Sequence, residues 1–142
     1  MTNENVQEKL KFIWGNSCYA LCIAYINGLT DIKNMVYAVA SGILNEFIEE
    51  DCYVKEPVKY ANLCKALAPR PLDLPQGGFK NVEKVDIKSL MDLPDNGLYA
   101  VEWKYGCGSH FAVCRRGEVV WDPSGDSNSV KYGAIHSYRR FS

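Results

Sequence analysis

The run from Cys18 to Asn27 is almost wholly apolar, which predicts a helix that has no solvent-facing side. The polar turn Gly15-Asn16-Ser17 precedes this run, and Gly28 follows it at the place where a left-handed residue commonly ends a helix. Such a helix is stable only inside a core, so the rest of the chain must fold around it. The turn also places Cys18 at the helix N-terminus, where unpaired backbone N–H groups and the helix dipole stabilise a thiolate.

The rest of the first half also favours helices. Helical spacing of apolar residues indicates a short amphipathic helix over residues 3–13. Asp31 is a typical N-cap for a longer helix that continues to about Glu49 with one apolar stripe. That stripe consists of Ile32, Met35, Val36, Val39, Ile43, Leu44 and Phe47. A third helix is expected from Pro57 to about Leu67, because proline suits the first turn of a helix.

After a proline-rich connection the pattern changes to short strands separated by turns. Strands are predicted over residues 82–85, 98–104, 110–114, 118–122 and 134–141, and Asp86 is expected to cap a single helical turn after the first of them. Helices followed by an antiparallel sheet define an α+β layout. We therefore expect one domain over residues 1–142, with a helical part over about 1–70 and a sheet part over about 80–142.

Composition limits the function classes. The chain has 16 Lys plus Arg against 17 Asp plus Glu, a net charge of −1, so no bulk field attracts nucleic acid or a membrane surface. The N-terminus lacks the pattern of a signal peptide, and no apolar run approaches the ~20 residues of a membrane span. Six cysteines without a CxxC pair favour free thiols in a reducing compartment over disulfides or zinc. We expect a soluble, cytoplasmic monomer that uses no metal and no cofactor.

The sequence after residue 108 predicts a β-hairpin that brings a histidine and an acid together. Arg115-Arg116-Gly117 fits a three-residue loop, in which a type I turn is closed by a left-handed glycine. Cys114 would then pair with Glu118, and His110 would lie directly opposite Asp122. Opposed side chains have Cβ atoms about 5 Å apart, which allows a carboxylate to accept a hydrogen bond from imidazole.

The same register explains the other side of the hairpin. Phe111 and Val113 would lie opposite Trp121 and Val119, a set that is typical of a core face. A two-residue loop would shift the pairing by one residue and send the histidine and the aspartate to opposite faces. The predicted contact therefore depends on the length of the loop.

Cysteine protease chemistry needs a thiolate, an imidazole, a group that orients the imidazole, and donors for the oxyanion. Cys18, His110 and Asp122 supply the first three. The backbone N–H of Cys18 is one oxyanion donor, and the side-chain donor is either the Trp14 indole or the Asn16 amide, which both precede the nucleophile.

Other assignments compete with these. A single cysteine is often a buried structural thiol, but the polar turn before Cys18 and the downstream histidine and aspartate favour a nucleophile. His136 is the only other histidine, and we assign it to structure because no acid lies near it in sequence. Asp126 is an alternative orienting group, although its segment is typical of a solvated turn.

Two short segments resemble the papain-like cysteine proteases. Gly15-Asn16-Ser17-Cys18-Tyr19 resembles the cysteine box of ubiquitin-specific proteases, and Gly108-Ser109-His110-Phe111 followed by Trp121-Asp122 resembles their histidine box. The closer likeness is to viral members, namely the papain-like proteases of coronaviruses and other nidoviruses and the leader proteases of aphthoviruses. Trp14 resembles the oxyanion tryptophan of the coronavirus enzymes but lies one residue nearer to the cysteine.

The resemblance implies a papain-like fold, in which a nucleophile-bearing helix packs on an antiparallel sheet, in a minimal version without a zinc finger. It implies an endopeptidase that processes a viral polyprotein in the host cytoplasm and removes ubiquitin or ubiquitin-like modifiers by cutting after their C-terminal Gly-Gly. Tyr105, Gly106 and Gly108 would form one wall of a narrow substrate channel, supported by Trp103.

Two alternatives remain open at this point. The first is a bacterial or phage peptidase or transamidase acting on a leader, cell-wall or host peptide, which the stretch ending in Asp122-Pro123 suits equally well. The second is a non-catalytic binding module that keeps the same fold.

Overall fold

The computed structural model describes residues 17–68, 78–125 and 127–142. Within these residues the chain forms helices and then an antiparallel sheet of five strands in the order β1-β5-β2-β3-β4. The helices are α1 (Cys18–Ile26), α2 (Ile32–Leu44), α3 (Pro57–Leu67) and the short α4 (Asn128–Tyr132). The strands are β1 (Val82–Asp86), β2 (Tyr99–Tyr105), β3 (Gly108–Arg115), β4 (Glu118–Trp121) and β5 (Ala134–Phe141). The predicted α+β class is confirmed; the helix predicted over residues 3–13 lies outside the described residues.

Helix α1 is the buried helix that its composition predicts. Its residues from Ala20 to Ala24 are completely shielded from solvent. The helix ends in a Schellman motif, in which the amide of Gly28 donates to Tyr25 (3.1 Å) and the amide of Leu29 donates to Ala24 (3.0 Å). Gly28 has a φ of 97°, the left-handed conformation that the sequence predicts for it.

Helix α2 is shorter than predicted. Asp31 caps its start by accepting a hydrogen bond from the amide of Lys33 (2.8 Å), but the helix ends at Leu44 and not near Glu49. The cause is a second Schellman motif, in which Glu46 adopts a φ of 62° and the amide of Phe47 donates to Gly42 (2.9 Å). The predicted apolar stripe is wrong at two of its positions, because Ile32 is 62% exposed and Leu44 is 84% exposed.

The chain after α3 differs from the prediction at two places. Asp86 does not cap a helical turn, because it belongs to β1 and pairs with Ser137 of β5. A 3-10 turn forms later, over Leu90–Asp92, and Ser89 caps it by accepting a hydrogen bond from the amide of Met91 (3.1 Å). Helix α4 was not predicted at all.

The two faces of the sheet have different partners. One face packs on α1 through Ala100, Phe111 and Val113, which surround the buried Cys22. The other face forms a second apolar cluster that includes Trp103, Ala112, Cys114 and Tyr138. Among the described residues, no helix has the length and apolar character needed to cross a membrane.

Candidate active site

Cys18 is the first residue of α1, and its side chain is half-buried. The first intrahelical bond runs from the amide of Leu21 to the carbonyl of Ser17 (2.8 Å), so the amide of Cys18 belongs to the first turn, where N–H groups have no acceptor within the helix. This is the position that the sequence predicts for a nucleophile. Trp14 and Asn16, the two predicted side-chain donors for an oxyanion, lie outside the described residues.

The imidazole of His110 lies between Cys18 and Asp122. Its Nε2 atom is 2.7 Å from Oδ1 of Asp122, and its side chain is only 11% exposed. A hydrogen bond with the Cys18 side chain is the main cause that raises the pKa of His110; burial opposes this effect, and the hydrogen bond and charge of Asp122 add to it. Because Nε2 is occupied by Asp122, Nδ1 is the nitrogen available to the Cys18 sulfur.

Asp122 is itself held in place by three groups. Its Oδ1 accepts a hydrogen bond from the amide of Ser124 (2.9 Å) in addition to its contact with His110. Its Oδ2 accepts a hydrogen bond from the hydroxyl of Ser127 (2.7 Å). Ser127 is the N-cap of α4, where its hydroxyl oxygen also accepts a hydrogen bond from the amide of Val130 (3.3 Å). Helix α4 therefore positions the carboxylate that orients the histidine.

The predicted hairpin register is wrong, although the predicted side chains meet. Arg115 pairs with Glu118, so the loop has two residues, and its Gly117 has a φ of 84°. The register then shifts, because Cys114 pairs with Val119 whereas Val113 pairs with Trp121. The extra residue in this bulge reverses the face of the residues that follow, which returns the aspartate to the face of the histidine.

Asp122 therefore contacts the histidine diagonally. It comes directly after Trp121, the last residue of β4, which pairs with Val113 of β3. The next position along β3 is Ala112, which lies two residues from His110. A diagonal pair remains within reach of a long side chain such as imidazole. Opposite Val113, Trp121 packs toward the core and stacks on Tyr25 of α1 (4.9 Å between ring centroids).

A cleft of about 590 Å³ extends from Cys18 between the helical part and the sheet. Its walls include Tyr19 and Phe111 on one side and the loop over residues 51–55 on the other. Ser109, which directly precedes the histidine, also lines it.

The four residues predicted to bind substrate do not line this cleft. Trp103 is buried and pairs with His110 across β2 and β3. Tyr105 pairs with Gly108 at the end of the same two strands, and Gly106 occupies the tight turn between them with a φ of 59°. Ser109 connects this turn to His110 along the chain. The role of the turn as a channel wall stays a prediction.

Other candidate groups are separated from this arrangement. His136 lies in β5, and β2 separates that strand from β3. Cys22, one turn after Cys18, is completely buried, and burial raises the pKa of its thiol well above the usual range. Asp126 lies outside the described residues. No group of three or more His, Cys, Asp or Glu side chains among the residues that the structure describes is arranged to hold a metal ion.

Sequence reasoning found the cysteine, the histidine and the aspartate but missed Ser127. Serine is a common N-cap residue, and Val130 and Tyr132 follow it at spacings that suit a short helix. That signal was available in the sequence. It was obscured by the neighbouring small polar residues, which are equally typical of a loop.

No protein-family model, curated protein or solved structure matches this chain.

Proposed function

We propose that this protein is a cysteine peptidase of the papain-like kind. One observation carries the proposal: a single imidazole, that of His110, is hydrogen-bonded to the Asp122 carboxylate and interacts with the Cys18 thiol, and both interactions raise its pKa. An imidazole held in this way accepts a thiol proton and later returns it, as nucleophilic catalysis requires. The location of the thiol in the first turn of α1 and in the wall of a cleft supports the same function.

In the proposed reaction the thiol proton moves to Nδ1 of His110, and the sulfur attacks the carbonyl carbon of a peptide bond. The amide of Cys18 donates a hydrogen bond to the oxyanion that forms. When the carbon–nitrogen bond breaks, the imidazolium gives its proton to the departing amine. The acyl group of the substrate stays on the sulfur as a thioester. A water molecule that loses a proton to neutral His110 then hydrolyses the thioester and restores the thiol. Asp122 keeps the ring oriented throughout and stabilises the imidazolium.

The resemblance of the cysteine and histidine boxes supports a narrower proposal, namely a viral polyprotein protease that also cuts after the C-terminal Gly-Gly of ubiquitin or a ubiquitin-like protein. The hairpin that ends in Asp122-Pro123, with Pro123 buried, suits a bacterial or phage peptidase or transamidase as well. Substrate length separates the two, because a ubiquitin-like protein docks as a folded domain whereas a leader or cell-wall substrate is a short peptide.

Reaction with ubiquitin that carries a C-terminal electrophile tests the narrower proposal. A covalent adduct on the wild-type protein that is lost in Cys18→Ala and kept in Cys107→Ser supports it, since Cys107 is an exposed thiol that does not line the cleft. No adduct, or an adduct that survives Cys18→Ala, rejects deubiquitination.

Digestion of a broad peptide mixture tests the general proposal. Cleavage that requires Cys18 but shows no preference for glycine before the scissile bond favours the leader-type peptidase. The absence of any cleavage, together with alkylation of Cys18 by iodoacetamide no faster than that of Cys107, indicates a non-catalytic binding module and rejects the peptidase.

A further inference from the structure

The cleft that begins at Cys18 carries an excess of positive charge. Lys55, Lys84 and Arg139 line it, and they come from the loop before α3, from β1 and from β5. Asp51 is the acidic residue in the same lining. Because the whole chain has a net charge of −1, this excess is a local property of the cleft and does not follow from composition.

Arg139 is fixed in the wall of the cleft. Its Nη1 donates a hydrogen bond to the hydroxyl of Ser137 (2.8 Å), and its guanidinium lies 5.1 Å from the ring centre of Phe111 and 5.8 Å from that of Tyr19. The two rings are stacked on each other with centroids 4.4 Å apart. A guanidinium has five N–H groups, so donors remain for a ligand after these contacts are made. The cation is therefore oriented before a ligand arrives, which reduces the entropy lost on binding.

The buried carboxylate of Glu102 is paired with two of these cations and with Lys104, which does not line the cleft. Its oxygens are 3.2 Å from Nζ of Lys104, 3.5 Å from Nη2 of Arg139 and 3.9 Å from Nζ of Lys84. Burial alone raises its pKa, but hydrogen bonds from Ser137, Lys104 and Ser109 and the charge of Arg139 overcome this effect and lower its pKa to about 2. Asp51 and Glu102 therefore offset two of the three cleft cations, and one positive charge in the cleft remains uncompensated.

Resting on the proposed peptidase function, we propose that this cleft is a specificity subsite for an acidic side chain of the peptide substrate. Cys18 lines the cleft, so a substrate whose reacting carbonyl lies at the sulfur extends part of its chain past Arg139 and the two lysines. A carboxylate on that part accepts charge-assisted hydrogen bonds from these groups, which are stronger than neutral ones. A basic side chain at the same place is repelled, and selectivity arises from both effects.

Tetrapeptide vinyl sulfones test this subsite without turnover. In each reagent set one position is fixed as Glu, Gln or Lys, and the other positions are mixed. Peptide mass mapping reports the rate of Cys18 labelling. We expect one position at which the Glu set reacts about three- to tenfold faster than the Gln set, as one well-placed charge pair provides. This advantage should shrink when ionic strength is raised. Equal rates for Glu and Gln at every position overturn the proposal.

Substitutions in the cleft assign the preference to its cations. Lys55→Met and Lys84→Met should each lower the ratio of the Glu rate to the Gln rate, and Lys55→Glu should shift the preference toward the Lys set. Lys33→Met is the matched control, because Lys33 is an exposed lysine on α2 outside the cleft, and its ratio should equal that of the wild type. An unchanged ratio in all three cleft variants overturns the proposal.

A binding measurement separates failure of the subsite from failure of the peptidase. If no reagent labels Cys18, the proposed peptidase function fails. Binding of fluorescent tetrapeptide sets, with Glu or Gln fixed at one position, to the Cys18→Ala variant is then measured by fluorescence anisotropy. Tighter binding of a Glu set that Lys84→Met weakens supports an acidic-peptide cleft that acts without catalysis. Equal binding of the Glu and Gln sets rejects the subsite as well.

Discussion

The Nε2 atom of His110 lies 2.7 Å from Oδ1 of Asp122, although the two residues are not directly opposed in the sheet. A bulge in the β3–β4 hairpin brings the aspartate back to the histidine's face, and Ser127 of the following helix holds its second oxygen. The contact therefore depends on groups from three elements. Each of these elements can be changed separately by substitution.

Replacing Asp122 by asparagine should lower the pKa of His110. The change removes the charge of the carboxylate, and that charge is one of the causes that raise the pKa. Peptidase activity should fall by about tenfold, because a neutral amide can still orient the ring but does not stabilise the imidazolium as a carboxylate does. The pKa is measured by NMR titration of the imidazole proton in a His136→Gln background, which leaves one histidine signal. Glu118→Gln, an exposed change in the same hairpin, should leave the pKa of His110 unchanged.

The raised pKa of His110 also predicts how stability depends on pH. A histidine whose pKa is higher in the folded state than its unfolded value, about 6.5, binds more protons when folded. Its contribution to stability is therefore fully present below about pH 6.5 and is lost as the pH rises through the folded-state pKa. Urea unfolding should show that His110→Gln destabilises the protein more at pH 5.5 than at pH 8.5. An equal loss at both pH values contradicts the raised pKa.

Replacing Ser127 by alanine should weaken both the helix that it caps and the carboxylate that it holds. The hydroxyl accepts a hydrogen bond from Val130 and donates one to Asp122, so the loss of the cap should cost about 1 kcal/mol of the free energy of unfolding. We also expect kcat to fall about tenfold with little change in KM, because the aspartate acts on the histidine and not on the substrate. Ser127→Thr should restore both values. Ser124→Ala is the control, since Ser124 contacts the aspartate through its backbone amide.

The hairpin shows why the site was predictable and its register was not. Arg115-Arg116-Gly117 contains a glycine that suits a left-handed position in a loop of either two or three residues, so the sequence does not decide the loop length. A bulge has no sequence signature of its own in this segment, and it depends on how Trp121 packs against Tyr25 of α1. The apolar pattern nevertheless assigned Trp121 to the core face and Asp122 to the face of His110, because burial constrains the face more strongly than the pairing.

The end of α2 was unpredictable for a related reason. A glycine or asparagine normally marks the left-handed residue after a helix, but here Glu46 takes that conformation. What stabilises it is close packing around Gly42, where a Cβ atom would lie 2.8 Å from Ile48 Cδ1 and 3.0 Å from the ring of Tyr60 in α3. Local sequence predicts the end of α1 and the start of α3, because Gly28 and Pro57 act directly on the backbone there. It does not predict a helix end that depends on tertiary packing.

Adding a methyl group at position 42 should therefore destabilise the protein. In Gly42→Ala the new Cβ meets Ile48 at 2.8 Å and the Tyr60 ring at 3.0 Å, and all three residues are buried. Overpacking of this kind costs about 1–3 kcal/mol. The free energy of unfolding is measured in urea, and Ser41→Ala, a substitution at the neighbouring half-buried position, is the control. A Gly42→Ala variant as stable as the wild type contradicts the packing that ends α2.

The decisive chemical prediction concerns the reactivity of Cys18 at mildly acidic pH. If His110 shares a proton with the Cys18 thiol, iodoacetamide should modify Cys18 at pH 6 at least tenfold faster than the exposed Cys107, because the thiolate is the reactive species. Peptide mass mapping gives both rates in one sample, so Cys107 serves as an internal reference. His110→Gln should abolish the difference, and Asp122→Asn should reduce it. Buried Cys22 should remain unmodified in the folded protein, and rapid modification there would show that the protein had unfolded. Equal rates for Cys18 and Cys107 in the folded protein would reject the thiol–imidazole pair on which the proposed catalysis depends.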